Sequence, residues 1–103
     1  MPRKEEPSFY VILRKSFFKN ELFRMRLSSG EIIFNCLQGE KESFSVPFSK
    51  ISRIVVYEGP AREIEICTKD EVIFGNFKST VTLNRAIKIF ESFFGGKFSH
   101  VRS

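Results

Sequence analysis

Two arginines separated by a single residue are the side chains of this sequence best placed to bind an anion. Arg24 and Arg26 stand in residues 21–27, where apolar and polar side chains alternate as in a half-buried strand. Because every second side chain of a strand projects from the same face, both guanidinium groups are expected on one face. A guanidinium presents a planar fork of N–H donors that matches a carboxylate or a phosphate. The pair therefore predicts an anion-binding face.

The residues just before this pair extend its positive charge. Lys15 closes the preceding apolar run and Lys19 lies in the loop that follows, so residues 14–26 hold five basic side chains against one acidic. Residues 31–78 hold six basic and eight acidic side chains, and residues 79–103 hold four basic and one acidic. Within a net charge of +5, this uneven distribution favours an anionic partner. The plainer interpretation is a solvated basic face.

A second basic group is spread over the middle of the chain. It consists of Lys50, Arg53 and Arg62, which fall in or beside predicted strands. Its positive charge could steer an acidic partner toward the domain. Scattered surface charge is the simpler explanation of the same three residues.

The remaining reactive side chains predict neither a catalytic site nor a metal site. Cys36 and Cys67 lie in predicted strands without a Cys-x-x-Cys pair, and the only histidine, His100, is close to the end of the sequence. The sequence contains no nucleophile elbow and no glycine-rich phosphate loop. We therefore expect a non-enzymatic protein with no metal and no other cofactor, and with two reduced structural thiols.

The sequence carries no targeting or membrane-spanning signal. Residues 1–7 are polar and lack the apolar stretch of a secretory signal. No apolar run approaches the roughly 18 residues that suggest a membrane span. These features favour an intracellular protein, either cytosolic or nuclear.

Seven short strands are predicted before any helix. Each is rich in β-branched or aromatic residues, and several alternate between apolar and polar side chains. Pro47 indicates an edge position or a strand end, and Gly75 indicates a bulge. We expect the strands at residues 9–15, 21–27, 31–37, 43–48, 51–57, 63–68 and 71–77.

The hydrophobic period then changes to that of an amphipathic helix. The apolar residues at helical spacing are Leu83, Ile87, Phe90 and Phe94. Ser79 or Thr80 can accept a hydrogen bond from the free amides at the helix start. Gly95 and Gly96 end the helix, because glycine adopts a left-handed cap without steric cost. We expect one helix over residues 80–94.

The composition supports a single domain with an aromatic core. The 103 residues are 42% hydrophobic and include thirteen Phe but no Trp, and Phe buries a large area with no polar atom to satisfy. We expect one domain at residues 9–95, with flexible ends at residues 1–8 and 96–103. The predicted core consists of Phe23, Met25, Phe34, Val46, Ile54, Ile64, Ile66, Phe74, Leu83, Ile87, Phe90 and Phe94.

Three motifs accompany this order of elements. Residues 46–51 read Val-Pro-Phe-Ser-Lys-Ile, residues 63–70 read Glu-Ile-Glu-Ile-Cys-Thr-Lys-Asp, and residues 74–77 read Phe-Gly-Asn-Phe just before the helix. With about seven strands closed by one helix, they resemble the pleckstrin-homology superfold, including its GRAM branch. The resemblance implies an α+β, mainly β fold: a partly open barrel of about seven antiparallel strands capped by one C-terminal helix. It also implies a non-catalytic binding or adaptor module.

The basic residues resemble a pattern within the same superfold. Phosphoinositide-binding pleckstrin-homology domains carry a Lys late in the first strand and a basic-x-Arg pair in the second, which Lys15, Arg24 and Arg26 match. The resemblance implies a phosphoinositide head group as ligand, with Lys19 as a fourth contact. This helix lacks the Trp that the family usually carries.

The segment 74–94 is also similar to the pleckstrin-homology-like domain of the large core subunit of general transcription factor IIH. That family binds acidic segments of partner proteins, which implies an acidic, aromatic-bearing peptide held near the second basic group. The partner stays open between an acidic protein segment and a phosphoinositide membrane surface. Single-stranded nucleic acid is a weaker alternative, based on the combination of basic charge and aromatic residues. The candidate ligand-binding residues are Lys15, Lys19, Arg24, Arg26, Lys50 and Arg53.

Overall fold

The computed structural model describes residues 6–14, 20–37 and 43–102, and all of the predicted strands and the predicted helix form within them. In β1 and β2 every second side chain is buried, as the alternation in the sequence predicts. The strands of this part of the chain are β1 (Ser8–Arg14), β2 (Asn20–Ser28), β3 (Glu31–Cys36), β4 (Phe44–Pro47), β5 (Ile51–Glu58), β6 (Glu63–Thr68), β7 (Val72–Phe77) and β8 (Phe98–Arg102). The helix, α1 (Thr80–Phe94), lies between β7 and β8 along the chain.

The strands form one continuous sheet in the order β4-β3-β2-β1-β7-β6-β5-β8. Neighbouring strands are antiparallel except β8, which runs parallel to β5. The sheet is not closed, since no pairing joins its end strands β4 and β8 in the described part of the chain. α1 packs against one side of the sheet, which is called the inner face. The predicted mainly β fold with one C-terminal helix is confirmed, and it has an eighth strand.

β8 departs from the prediction of a flexible end at residues 96–103. After a short 3-10 turn at Gly95–Lys97, the chain pairs with β5. Phe98 is buried, and its ring centroid lies 5.7 Å from that of Phe90 in α1. Because this burial depends on a residue of another element, the five residues of β8 carried too weak a pattern to be predicted.

The N-terminal end is also ordered earlier than predicted. Ser8 already belongs to β1, although residues 1–8 are predicted to be flexible. The amide of Leu27 donates to the carbonyl of Pro7, and Arg85 of α1 donates to the carbonyl of Ser8. The first five residues lie outside the described residues.

An aromatic core fills the space between the inner face and α1. Phe90 is fully buried, and its ring centroid lies 5.8 Å from that of Phe9 in β1 and 6.0 Å from that of Phe94. The predicted core residues are buried with one exception, Phe74. Aromatic pairs at these separations add to the stabilisation that burial alone provides.

Phe74 lies on the opposite side of the sheet and is 42% exposed. β7 pairs in register with β1 and β6 through Gly75, so the bulge predicted at Gly75 is absent. Regular alternation places Gly75 and Phe77 on the inner face, and Phe74 therefore points outward. The irregularity occurs instead in β5, between Ile51 and Arg53.

The ends of α1 agree with the predicted capping residues. The side-chain oxygen of Ser79 accepts a hydrogen bond from the amide of Thr82 at 3.1 Å, so Ser79 rather than Thr80 is the N-cap. Gly95 has a φ of +52° and ends the helix.

Candidate interaction surface

The side of the sheet that faces away from α1, called the outer face, carries most of the large apolar side chains that are exposed in the described part of the chain. Seven large apolar side chains are exposed among the described residues, and five of them lie on the outer face. These five are Tyr10, Leu37, Val72, Phe74 and Val101. Contiguous exposed apolar residues are typical of a surface that contacts another molecule, so this face is the candidate interaction surface.

The centre of this surface is β1, which is apolar on both faces. Phe9, Val11 and Leu13 point into the core, whereas Tyr10 and Ile12 point outward, and Tyr10 is 54% exposed. On the same face lie Leu22 of β2, Phe74 of β7 and Leu37, which follows β3. The apolar patch is defined as Tyr10, Ile12, Leu22, Leu37 and Phe74.

The sequence contained a signal for this patch. Residues 9–13 form an apolar run without a single polar interruption. Such a run predicts a strand covered on both faces, but within the described ranges α1 and the core cover only the inner face of β1. The strand itself was predicted correctly. That its outward apolar side chains are exposed can be seen only once the sheet is assembled.

Arg24 lies at the edge of the apolar patch. It projects from the outer face of β2, aligned with Tyr10 of β1 on one side and Asn35 of β3 on the other. It is exposed, and among the described residues it has no hydrogen-bond or ion-pair partner. Its guanidinium is thus available to a carboxylate or phosphate from outside the chain.

Arg26 lies on the same face, as the alternation predicts, but its charge is compensated. Its Nε lies 3.3 Å from Oε1 of Glu6, in an ion pair without the alignment of a hydrogen bond. The carboxylate of Glu6 also accepts a hydrogen bond from Ser28 at 2.9 Å. The two arginines therefore share a face without forming an equivalent pair of anion-binding groups.

At the middle of the outer face, two opposite charges of this chain pair with each other. Arg14 of β1 donates to Glu63 of β6 at 2.7 Å, and its guanidinium carbon lies 6.0 Å from the ring centroid of Phe74. Both charged side chains are more than 40% exposed, so the pair adds little stability. Its effect is to leave the centre of the outer face without net charge.

An acidic side chain lies beyond this centre, on the side away from Arg24. Glu65 of β6 is aligned with Phe74 of β7, and its carboxylate accepts a hydrogen bond from the hydroxyl of Tyr57 at 3.3 Å. Partial burial of the phenol, together with the negative charge of Glu65, raises the pKa of Tyr57 above its ordinary value of 10.0. Tyr57 is therefore a neutral hydrogen-bond donor to Glu65 at neutral pH.

The other predicted site residues do not join Arg24 and Arg26. Lys15 and Lys19 lie outside the described residues. Lys50 is exposed at the end of the 3-10 turn that precedes β5. Arg53 is exposed on the outer face of β5, with its Nη2 3.9 Å from the sulfur of Cys67. Strands β1, β7 and β6 separate β2 from β5, so the two predicted basic groups are distinct.

A groove between α1 and the end of β5 and β8 was missed by the sequence prediction, because β8 was not predicted. It encloses about 400 Å³ and is lined by Glu58, Asn84, Ile87, Lys88, Glu91, His100 and Arg102. Nδ1 of His100 lies 2.5 Å from Oε2 of Glu58. The lining thus combines both signs of charge and does not select one sign of ligand.

Neither a metal site nor a membrane span appears in the described residues. They contain no group of three or more His, Cys, Asp or Glu side chains that could bind a metal. In the same ranges, no helix has the length and apolarity required to cross a bilayer.

Solved structures share this fold at low sequence identity. A chain of the Spt16D Pob3N heterodimer matches with a TM-score of 0.72 and 19% identity, over 96% of this chain and 56% of that chain. The N-terminal PH domain of human ARAP2 protein matches with a TM-score of 0.67 and 17% identity, over 91% of this chain and 86% of that chain. The present chain thus spans little more than half the length of the first of these two. No protein-family model and no curated protein matches it. These likenesses show the fold, which is pleckstrin-homology-like.

Proposed function

We propose that this domain is a non-catalytic protein-interaction module that binds an acidic protein segment on its outer face. The observation that carries the proposal is the position of Arg24, an exposed arginine with no partner among the described residues, beside the apolar patch. A ligand with a carboxylate next to an apolar side chain would pair with Arg24 and cover the apolar patch at the same time.

The chemistry of recognition follows from the two parts of this surface. The guanidinium of Arg24 offers a bidentate hydrogen bond to an Asp or Glu side chain, and this fixes orientation. Tyr10 and Ile12 offer apolar area that an aromatic or aliphatic neighbour of that residue can cover. The basic residues Lys50 and Arg53 lie further away and would contribute mainly to the rate of encounter.

A phosphoinositide head group is the second candidate, because one of the similar solved structures is a PH domain. A phosphorylated inositol needs several converging donors. Arg26 is already paired with Glu6, and the residues aligned with Arg24 are Tyr10 and Asn35 rather than further basic side chains, so the described part of the predicted site favours a protein ligand. The other similar chain was solved in a heterodimer, and this supports protein binding as a use of the fold.

Selection of displayed peptides on the immobilised domain tests the proposal. We expect enriched peptides to carry Asp or Glu next to an aromatic or aliphatic residue. Arg24→Ala should weaken their binding by about tenfold or more, and Tyr10→Ala should weaken it as well. Lys88→Ala, a change of the same charge on the exposed side of α1, is the matched control. Selected peptides that bind Arg24→Ala and Tyr10→Ala as tightly as the original chain would contradict the proposal.

Vesicle co-sedimentation tests the lipid alternative directly. The chain and its Arg24→Ala/Arg26→Ala variant are compared on vesicles with single phosphoinositides and on vesicles with phosphatidylserine at equal charge. We expect no preference among head groups. Selective binding to one phosphoinositide that the double change abolishes would assign the outer face to lipid instead.

A further inference from the structure

We propose that the outer face binds a second copy of this chain, with Arg24 of each copy paired to Glu65 of the other. This inference rests on the proposed function, because it identifies an acidic partner of the same surface. The observation that carries it is the position of two charged side chains on the outer face, with Arg24 on one side of the centre and Glu65 on the other.

The strand register places the two charged residues at opposite corners. Ile12 of β1 and Asn76 of β7 are aligned at the centre of the outer face. Arg24 lies on β2, the neighbour of β1, and is aligned with Tyr10. Glu65 lies on β6, the neighbour of β7 on the opposite side, and is aligned with Phe74. The two corners are therefore separated diagonally by the centre of the sheet.

Consider a two-fold axis that passes over this centre, parallel to the sheet and perpendicular to the line from Arg24 to Glu65. It places the Arg24 corner of one copy against the Glu65 corner of the other. A symmetric dimer brings the same surface of both copies together, so each contact occurs twice. Arg24 of one copy then meets Glu65 of the other at both corners, while Ile12 and Phe74 of the two copies meet between them. Because this axis is inclined to the strands, the strands of the two copies cross at a large angle. Such crossing is one of the two common arrangements of packed sheets.

The charges on the outer face favour this arrangement over other pairings. The Arg14–Glu63 pair neutralises the centre, so it neither repels nor selects a partner. Arg24 has no partner among the described residues, and the partner of Glu65 is the neutral hydroxyl of Tyr57. A two-fold axis along the line from Arg24 to Glu65 would instead place each of these residues against its own copy, and the like charges disfavour that orientation.

Charge exchange between the two corners tests the dimer. Sedimentation velocity is measured from micromolar to near-millimolar concentration for the original chain, Arg24→Glu, Glu65→Arg and the double variant. We expect each single variant to raise the dimer Kd by roughly tenfold or more, since like charges meet at both corners. The double variant should restore the dimer. An equimolar mixture of the two single variants should also form dimers, because opposite charges then meet at both corners.

Lys88→Glu is the matched control, because it reverses a charge on α1, on the other side of the molecule from the outer face. Far-ultraviolet circular dichroism and thermal melting confirm that each variant is folded. A monomer at every concentration would overturn the dimer, and so would a dimer that neither single variant weakens. Peptides that bind through Arg24 would still support the proposed function in either case, so the two proposals can fail separately.

Discussion

Within the described part of the chain, Tyr57 has an ionisation that its neighbours clearly alter. Burial and the carboxylate of Glu65 raise the pKa of the Tyr57 phenol above 10.0. The chain has two tyrosines, so Tyr10→Phe leaves Tyr57 as the only phenol. We expect its phenolate absorbance to appear with a midpoint above 10.0, and Glu65→Gln to move that midpoint downward. A midpoint at or below 10.0 would contradict this environment.

The same shift has a defined effect on stability. Because the folded state holds the phenolic proton more tightly than the unfolded state, the contribution of Tyr57 is complete below pH 10.0. It is lost as the pH rises through the folded-state pKa. The alkaline loss of stability should therefore be smaller in Tyr57→Phe than in the original chain.

Phe90 provides the sharpest test of the core. Its ring is fully buried among Phe9, Phe94 and Phe98. Phe90→Ala should reduce the free energy of unfolding by about 3–5 kcal/mol, through lost burial and a residual cavity. Urea unfolding measures this loss, with Phe93→Ala as the control because Phe93 is substantially exposed. Equal losses in the two variants would contradict the observed orientation of α1.

At the level of the strands, Gly75 allows β7 to approach β1 closely. A Cβ at this position would lie 2.9 Å from Cδ2 of Leu13 and 3.0 Å from the carbonyl oxygen of Ile12. The backbone oxygen cannot move without disturbing the pairing of β1 with β7. Gly75→Ala should therefore destabilise the domain by about 1–3 kcal/mol, through overpacking. Val72→Ala, at an exposed position of the same strand, is the control for a general effect on β7, and unfolding by urea compares the two. An unchanged Gly75→Ala midpoint would show that the sheet can spread here.

The strands and helix could be predicted because each has a periodic pattern of its own. Phe23 and Met25 alternate with Arg24 and Arg26, and this alone fixes which side chains are buried. The side on which Phe74 lies could not be predicted in the same way, because it depends on whether Gly75 is bulged or in register. β8 was missed for a related reason, since its burial depends on contact with α1.

The candidate site was predictable in part. Strand alternation correctly placed Arg24 and Arg26 on one face. That Arg26 is compensated by Glu6 required the fold, because twenty residues separate the two in sequence and the contact forms when the start of the chain lies along β2. The apolar patch likewise combines residues from separate strands, so its extent depends on sheet order, which no single segment encodes.

Considered as a whole, the described part of the molecule has one sheet face packed against a helix and one with exposed apolar side chains. α1 covers the inner face, whereas the outer face retains exposed apolar side chains flanked by opposite charges. A second copy and an acidic segment of another protein would both use Arg24. The two proposed interactions therefore exclude each other, and the concentration of an acidic partner would control the fraction of dimer.

This competition gives a quantitative prediction. If a selected acidic peptide binds only the free outer face, both faces must be released before a dimer can form. At a peptide concentration about ten times its own Kd, the apparent dimer Kd should rise on the order of 100-fold. Sedimentation velocity with increasing peptide measures this rise, and a peptide of the same composition in scrambled order is the control. Peptide that binds the dimer without dissociating it would show that the two interactions use different surfaces, and Arg24 would then belong to only one of them.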